Sequence, residues 1–355
     1  MSAALLLVLA AAAAVALSFL SARFFARRGW LPDRPVARSS HKAPTPRTGG
    51  VAVIIGFICP ALALSVVEPG LWKFAALVLG AFVLGFADDA RPLPAAVKLV
   101  GQTAIAALFV FLFGAVETIP APFFGAVALG PAAAPLTAFW IVAFMNAYNF
   151  MDGANGLAAT AAIFGLSALA VAIAASGDGA SAGAAALMAA SVFGFLPLNF
   201  PKGRLFLGDG GSQSIGFAIA AFAVFAAQGE GAVSALFAPT AFMPFLFDVA
   251  FTLAHRAARR RSLVEGHNEH LYQLLIRLGS PHSSVTALYL ALVALSTLTA
   301  IFAGALPATW QFIAPAGLAA LFAAPALVLC RRAAAAGLLA APTPAAAAPL
   351  AKAAE

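Results

Sequence analysis

Residues 146–156 read Asn146-Ala147-Tyr148-Asn149-Phe150-Met151-Asp152-Gly153-Ala154-Asn155-Gly156, a polar island between two long apolar runs. In hydrocarbon an unpaired charge or amide costs several kcal/mol. One carboxylate, three carboxamides and two glycines at a membrane boundary must therefore face a water-filled cavity, a partner or the aqueous surface. The flanking runs are membrane spans on composition: the 355 residues are 63% hydrophobic and 9% charged, against roughly 25% charged in soluble domains. An all-α, polytopic integral membrane bundle is predicted.

At about 20 apolar residues per span, eleven candidate helices lie near 4–25, 49–67, 71–87, 98–114, 135–149, 157–175, 182–199, 212–228, 235–255, 285–304 and 308–330. The Gly- and Pro-rich segment 115–134 reads either as a surface hairpin or as a short re-entrant piece. No basic residue precedes Arg23, and the basic residues follow the first apolar run, an order that favours a retained span with its N-terminus outside. The loops 26–48, 88–97, 150–156, 200–211 and 256–284 and the C-terminus then fall on the cytoplasmic side. Nineteen of the twenty Lys and Arg lie in or beside those segments, with Lys73 the exception, which satisfies the positive-inside rule. In such a chain the formal charge of +7 reflects orientation, so nucleic acid is not an expected partner. Residues 1–332 read as a single membrane domain and 333–355 as an Ala- and Pro-rich disordered tail, broken by Pro342, Pro344 and Pro349. Cys59 and Cys330 have no metal or disulfide spacing and read as packing residues.

The cytoplasmic loops carry the chemistry. The first holds Ser39-Ser40-His41-Lys42 and Pro44-Thr45-Pro46-Arg47-Thr48-Gly49-Gly50, which combines cations, hydroxyls, stiff prolines and a glycine pair. The second holds Asp88-Asp89, followed by Arg91 and Lys98; adjacent acids beside a cation suggest a metal or phosphate site. The fourth runs from Asn199 through Phe206 to Gly208-Asp209-Gly210-Gly211-Ser212, where Ser212 is placed to cap the next span and the glycines admit a ligand to the backbone. Phe206 taken alone is a membrane-anchoring aromatic. In the last loop His267 and His270 are three apart and would share one face of a helix, but neither Cys nor a third His lies nearby to complete a zinc site. Asp248, late in the ninth span, is expected to pair with Arg256, the alternative being a wall of a ligand pocket. Acids, amides, glycines and cations converging on one membrane face describe a site for anionic phosphates and a hard divalent ion such as Mg²⁺.

The ordered set Ser40-His41, Pro44-Thr45-Pro46-Arg47, Gly49-Gly50, Asp88-Asp89, Asn146-x-x-Asn149-x-x-Asp152-Gly153-x-x-Gly156-Leu157 and Gly208-Asp209-x-Gly211-Ser212 resembles the polyprenyl-phosphate N-acetylhexosamine-1-phosphate transferases, over residues from about 20 to 330. The resemblance implies transfer of a sugar 1-phosphate from a UDP-N-acetylhexosamine to polyprenyl phosphate with release of UMP, at the cytoplasmic face of a bacterial inner membrane. It implies Mg²⁺ as cofactor, with Mn²⁺ admitted in its place, and membrane lipids as surroundings; it also admits a homodimer. Position by position, Asp209 is similar to the family's principal Mg²⁺ ligand, and Asn149 and Asp152 resemble residues lining the diphosphate and metal centre. Asp88 and Asp89 match the acidic pair that orients or deprotonates the acceptor, and Lys98 matches the cation that follows. Asn199 and Phe206 fall where the nucleotide is contacted, Phe206 as a stacking platform for uracil. Arg47, Arg204, His267 and His270 are expected to help neutralise the phosphates, and Asn155 to tolerate change better than Asn149 and Asp152.

The last loop departs from part of that family. Its His267-x-x-His270-Leu271-Tyr272-Gln273 lacks the consecutive histidines of the enterobacterial-type and peptidoglycan branches, and Arg47-Thr48-Gly49-Gly50 stands where the peptidoglycan branch has Thr-Met-Gly-Gly. This form is similar to the branch that initiates O-antigen and capsule synthesis. A second class, a nucleotide-sugar transporter without turnover, would place its charges near the bilayer midplane and often show inverted repeats. Here the acids cluster on one face.

Overall fold

The computed structural model describes residues 2–33, 44–228, 233–263 and 266–339. Its helices are α1 (Ala3–Arg28), α2 (Gly49–Leu64), α3 (Leu71–Ala90), α4 (Ala95–Phe113), α5 (Ala133–Phe150), α6 (Leu157–Ala175), α7 (Gly179–Asn199), α8 (Gly208–Ala226), α9 (Phe237–Ala241), α10 (Met243–Ala258), α11 (Leu271–Arg277), α12 (His282–Gly304) and α13 (Ala308–Ala335). Two small antiparallel pairs complete it: β1 (Pro32–Asp33) with β2 (Thr45–Pro46), and β3 (Thr118–Ala121) with β4 (Gly125–Ala128). The segment 115–134 is therefore a hairpin followed by a short 3₁₀ turn.

Among the described residues, α1, α3, α4, α5, α6, α7, α12 and α13 are long and apolar enough to cross a membrane. The other three expected spans are less regular. Helix α2 is apolar but has only 16 residues. The span expected at 235–255 is divided into α9 and α10, with Pro244 in the first turn of the second piece; proline suits a helix start and breaks a helix interior. The span expected from 212 begins four residues earlier, at Gly208, which brings Asp209 into the first turn of α8.

Helix α8 is the axis of the bundle. Every residue from Gly210 to Phe222 is buried, so α8 faces protein on all sides and not lipid. The lipid boundary is formed by outer helices, where Phe111, Val171 and Phe302 are largely exposed. Small residues let neighbours close on the first turn of α8. A Cβ on Gly50 would lie 2.4 Å from the Gly211 nitrogen, and one on Gly85 would lie 2.3 Å from the Asp209 carbonyl oxygen. Both distances are below contact, so α2 and α3 come this close to the first turn of α8 only because these positions carry no Cβ.

The domain boundary expected at 332 falls inside the last helix. Helix α13 continues to Ala335, and Leu339 is buried against Leu271, Leu274 and Cys330. The rest of the predicted tail, 340–355, and the Ser39–Ala43 part of the first loop lie outside the described residues.

Candidate active site

Six segments converge on a cavity of about 250 Å³: the β1–β2 pair with Arg47 after it, the end of α3, the loop after α5, the end of α7, the turn into α8, and the segment leading into α11. Of the residues singled out in the sequence, Arg47, Asp89, Asp152, Asn199, Phe206, Asp209 and His267 line it. Asp88, Lys98, Asn149 and His270 stand immediately behind the lining.

The acidic pair divides its work. The Oδ2 of Asp89 accepts the Gly210 N–H at 2.9 Å, and the Asp209 N–H is also directed at this carboxylate. Residue Leu207, at the N-cap of α8, offers no side-chain cap. Asp89 thus caps α8 from a different helix and satisfies donors that would otherwise be orphaned at the helix start. Its other oxygen, Oδ1, is buried with no hydrogen-bond partner. Asp88 accepts the Leu93 N–H at 2.7 Å and the Lys98 ammonium at 2.8 Å. The cation nine residues after the acidic pair is thus its ion-pair partner. The carboxyl groups of Asp88 and Asp209 lie within hydrogen-bonding reach of each other, and the Asn149 amide reaches Asp209 as well. Asn149 Nδ2 also donates to Ser212 Oγ at 2.7 Å, so Ser212 serves this amide and is not the cap of α8. Gly208, at φ +75°, turns the chain between Arg47 and Asp89; a Cβ there would stand 2.7 Å from Asp89 Oδ2 in addition to the backbone strain.

Two groups outside the spans have charge states set by these neighbours. Burial, then the charges of Asp209 and Asp89, hold the Asp152 carboxyl well above the usual carboxylate range. Burial works against the Arg47 cation, but Asp33, paired with it at 2.7 Å, together with Asp89 and Asp209 keeps it charged. Asp33, a lone acid in a cationic loop, was not singled out in the sequence. Its only signal there was that mismatch of sign.

Close-lying acids fit a divalent ion. Two carboxyls in contact share either a proton or a cation, and Asp89 Oδ1 is a buried acceptor with nothing to accept. Among the described residues no group of three His, Cys, Asp or Glu side chains is arranged to hold an ion unaided. Mg²⁺ is bound through one or two carboxylates plus substrate phosphates and waters rather than in an all-protein cage, so the donor set suits it.

Several side chains are used differently from expectation. Both ends of the Asn199 amide are engaged with backbone: Oδ1 accepts the Gly156 N–H at 2.7 Å and Nδ2 donates to the Leu205 carbonyl at 3.0 Å. Asn199 thus ties the 150s loop to the 200s loop. Asn155, expected to be tolerant, links the same loop to the Pro201 carbonyl, to His282 and to Thr286. His267 and His270 do not share a helical face, because both precede α11, with ring centroids 5.0 Å apart. His270 is buried behind the wall. Asp248 does not pair with Arg256, which instead meets Glu269 at 3.0 Å.

Burial, then the neighbouring His270 and Arg256, lowers the His267 pKa to about 4, so His267 is neutral at pH 7 and supplies hydrogen bonds and no charge. The unfolded chain takes up its proton near pH 6.5, before the folded one does, so stability falls as pH drops from about 6.5 towards 4. Thermal unfolding across that window should show a shallower pH slope for His267→Gln than for the parent; identical slopes would contradict the assignment.

The chain is similar to proteins of related description. A profile for "Glycosyl transferase family 4" matches residues 71–227. The chain is 31% identical over 264 residues, 73% of each protein, to the probable undecaprenyl-phosphate N-acetylglucosaminyl 1-phosphate transferase of Bacillus subtilis. It is 32% identical over 307 residues, 76% of this chain and 75% of the other, to the decaprenyl-phosphate N-acetylglucosaminephosphotransferase of Mycobacterium tuberculosis. A phospho-N-acetylmuramoyl-pentapeptide-transferase of Synechococcus elongatus matches at 34% over 200 residues, 52% of this chain and 54% of the other. With that likeness spanning the convergent acidic cavity, the chain belongs to glycosyl transferase family 4, among the polyprenyl-phosphate sugar-1-phosphate transferases.

Proposed function

We propose that this protein transfers an N-acetylhexosamine 1-phosphate from a UDP-sugar to polyprenyl phosphate, releasing UMP, as the first step of a lipid-linked surface polysaccharide such as O-antigen or capsule. The observation that carries the reading is the contact of the Asp88 and Asp209 carboxyls beside the unpartnered Asp89 Oδ1, with Arg47 and Lys98 next to them. Such an arrangement suits a reaction whose substrates bring about four negative charges together. Bound at Asp209 and Asn149, Mg²⁺ would neutralise the diphosphate and stabilise the leaving UMP. An oxygen of the lipid phosphate attacks the phosphorus that carries the sugar; the bond to the bridging oxygen breaks, and that oxygen leaves with UMP. Asp88 and Asp89 orient the acceptor and take any residual proton. Phe206, half-buried on the cavity wall, offers its ring to uracil, and Arg47 and His267 meet the donor. Asn199 acts by fixing both loops around it.

Eleven spans with the N-terminus outside would set this cavity on the cytoplasmic face of a bacterial inner membrane, where UDP-sugars and the positive-inside charges are found. Membranes containing the protein, polyprenyl phosphate, Mg²⁺ and one UDP-sugar from a panel (GlcNAc, GalNAc, and the quinovose and fucose N-acetyl derivatives) should release UMP with at least one donor. The donor turned over fastest identifies the sugar. Uptake of intact UDP-sugar without UMP release would overturn the reading in favour of transport.

A further inference from the structure

Asp248 is a fully buried carboxylate in α10 that the proposed reaction does not use. A buried charge persists only when it is hydrogen-bonded on every side, and this one is. Its Oδ1 accepts from the Leu271 N–H at 2.9 Å, and lies 3.2 Å from both Thr252 Oγ1 and His270 Nδ1. Its Oδ2 accepts from the Tyr272 N–H at 3.1 Å and the Tyr289 hydroxyl at 2.5 Å. The carboxylate therefore joins α10, the start of α11 and α12 at one point.

What α11 carries from there makes the contact more than packing. Immediately before and on α11 stand His267, Asn268 and Gln273, all three on the cavity wall. Gln273 Oε1 accepts the His270 N–H at 3.1 Å, closing the first turn. On the other side the Tyr272 hydroxyl donates to the Phe150 carbonyl at 3.0 Å, two residues before Asp152. This contact is close: a Cβ on Gly153 would stand 2.1 Å from that hydroxyl oxygen. Two walls of the cavity are thus referred to one buried acid, the His267–Gln273 wall directly and the Asp152 loop through Tyr272. The pairs of Arg256 and Arg261 with Glu269, at 3.0 and 2.6 Å, hold the same segment through a second acid.

We infer that Asp248 is a positioning residue for this site, fixing the His267–Gln273 wall and, through Tyr272, the Asp152 loop. This rests on the proposed transferase reading for its kinetic consequence, though not for its structural one. Asn in place of Asp keeps the size but turns one acceptor oxygen into a donor that faces donors. Displacements of about 1 Å at a site wall cost up to about a hundredfold in rate. In the full-length protein in nanodiscs, Asp248→Asn should raise KM for the UDP-sugar about tenfold or more and lower kcat, leaving KM for polyprenyl phosphate within about twofold. Amide exchange at 267–273 and at 150–156 should quicken together. Asp248→Glu, which keeps both acceptor oxygens, should recover part of the donor KM.

A residue that merely stabilises the fold would lower the amount of active protein at unchanged KM, and that result would overturn the inference. If Asp248→Asn does not fold, Tyr272→Phe keeps the ring and removes the hydroxyl's bonds to the Phe150 carbonyl and to the Gln273 side chain. It should quicken exchange at 150–156 and raise the donor KM in the same direction, and unchanged exchange there would also overturn the inference. Absence of UMP release by the parent protein would sink the transferase reading alone, because the exchange measurement does not depend on turnover.

Discussion

Asp209→Asn is expected to lower transfer about a thousandfold while leaving the protein as thermally stable as the parent, or more so. The activity loss follows from position. Asp209 lies in the first turn of the buried axis helix, in contact with the Asp88 carboxyl and the Asn149 amide. Removing one group that meets developing charge in a site of this kind costs about 10² to 10³ in kcat. The stability side follows from like charge. Asp89, Asp152 and Asp209 line one cavity with Asp88 just behind, a repulsion that folding tolerates only because the site needs it. Asn removes one of the four crowded acids and keeps the side-chain volume. The same experiment carries a readout independent of turnover. Mg²⁺ should raise the melting temperature of the parent, by ligand linkage, and should do so far less for Asp209→Asn. A variant that loses activity and stability together, with an unchanged response to Mg²⁺, would show that Asp209 acts as a fold residue.

The apolar runs were legible because lipid enforces them, and the site-bearing loops because polar residues interrupt those runs. What escaped the sequence was the long-range contact that rewrites a local signal. Gly208-Asp209-Gly210-Gly211 reads as a turn, yet it is helix, because Asp89, more than a hundred residues away, accepts the amides that a local N-cap would take. The break between α9 and α10 lies inside an unbroken apolar run, where hydropathy is blind. Asp248 was read against the nearest cation in its own helix, Arg256, but backbone amides beyond the next loop outcompete it. The order of acids and amides carried the site itself, since Asp88, Asp89, Asn149, Asp152 and Asp209 do come together. Roles within it did not follow from order. Asn199 and Asn155 are residues of the type that binds nucleotides, and here their amides are committed to holding loops.

Asp88→Asn is expected to reduce transfer by about 10²-fold or more, and the size of that loss separates two duties. Asp88 holds Lys98 at 2.8 Å and touches Asp209. If its only duty were to take a proton from the acceptor, the loss could not be large at neutral pH. A phosphate monoester with a second pKa near 6 is roughly nine-tenths dianion at pH 7, so removing the residual proton there gains only about 1.1-fold. A greater loss must come from lost orientation and charge balance around Asp209 and Lys98. The pH dependence makes the division measurable. A proton-removal duty predicts that the defect of Asp88→Asn deepens as pH falls below about 6 and shrinks towards pH 8, whereas an orienting duty predicts a defect nearly independent of pH over that range. Lys98→Gln, which leaves the acid in place, should cost about tenfold and act mainly on KM for the lipid phosphate, as removal of a partly exposed cation would. Incubating the parent with UDP-sugar labelled in the phosphate next to the sugar, without lipid acceptor, should leave the protein unlabelled. A labelled phosphoryl-enzyme that vanishes in Asp88→Asn would replace direct attack by a covalent route through that carboxylate.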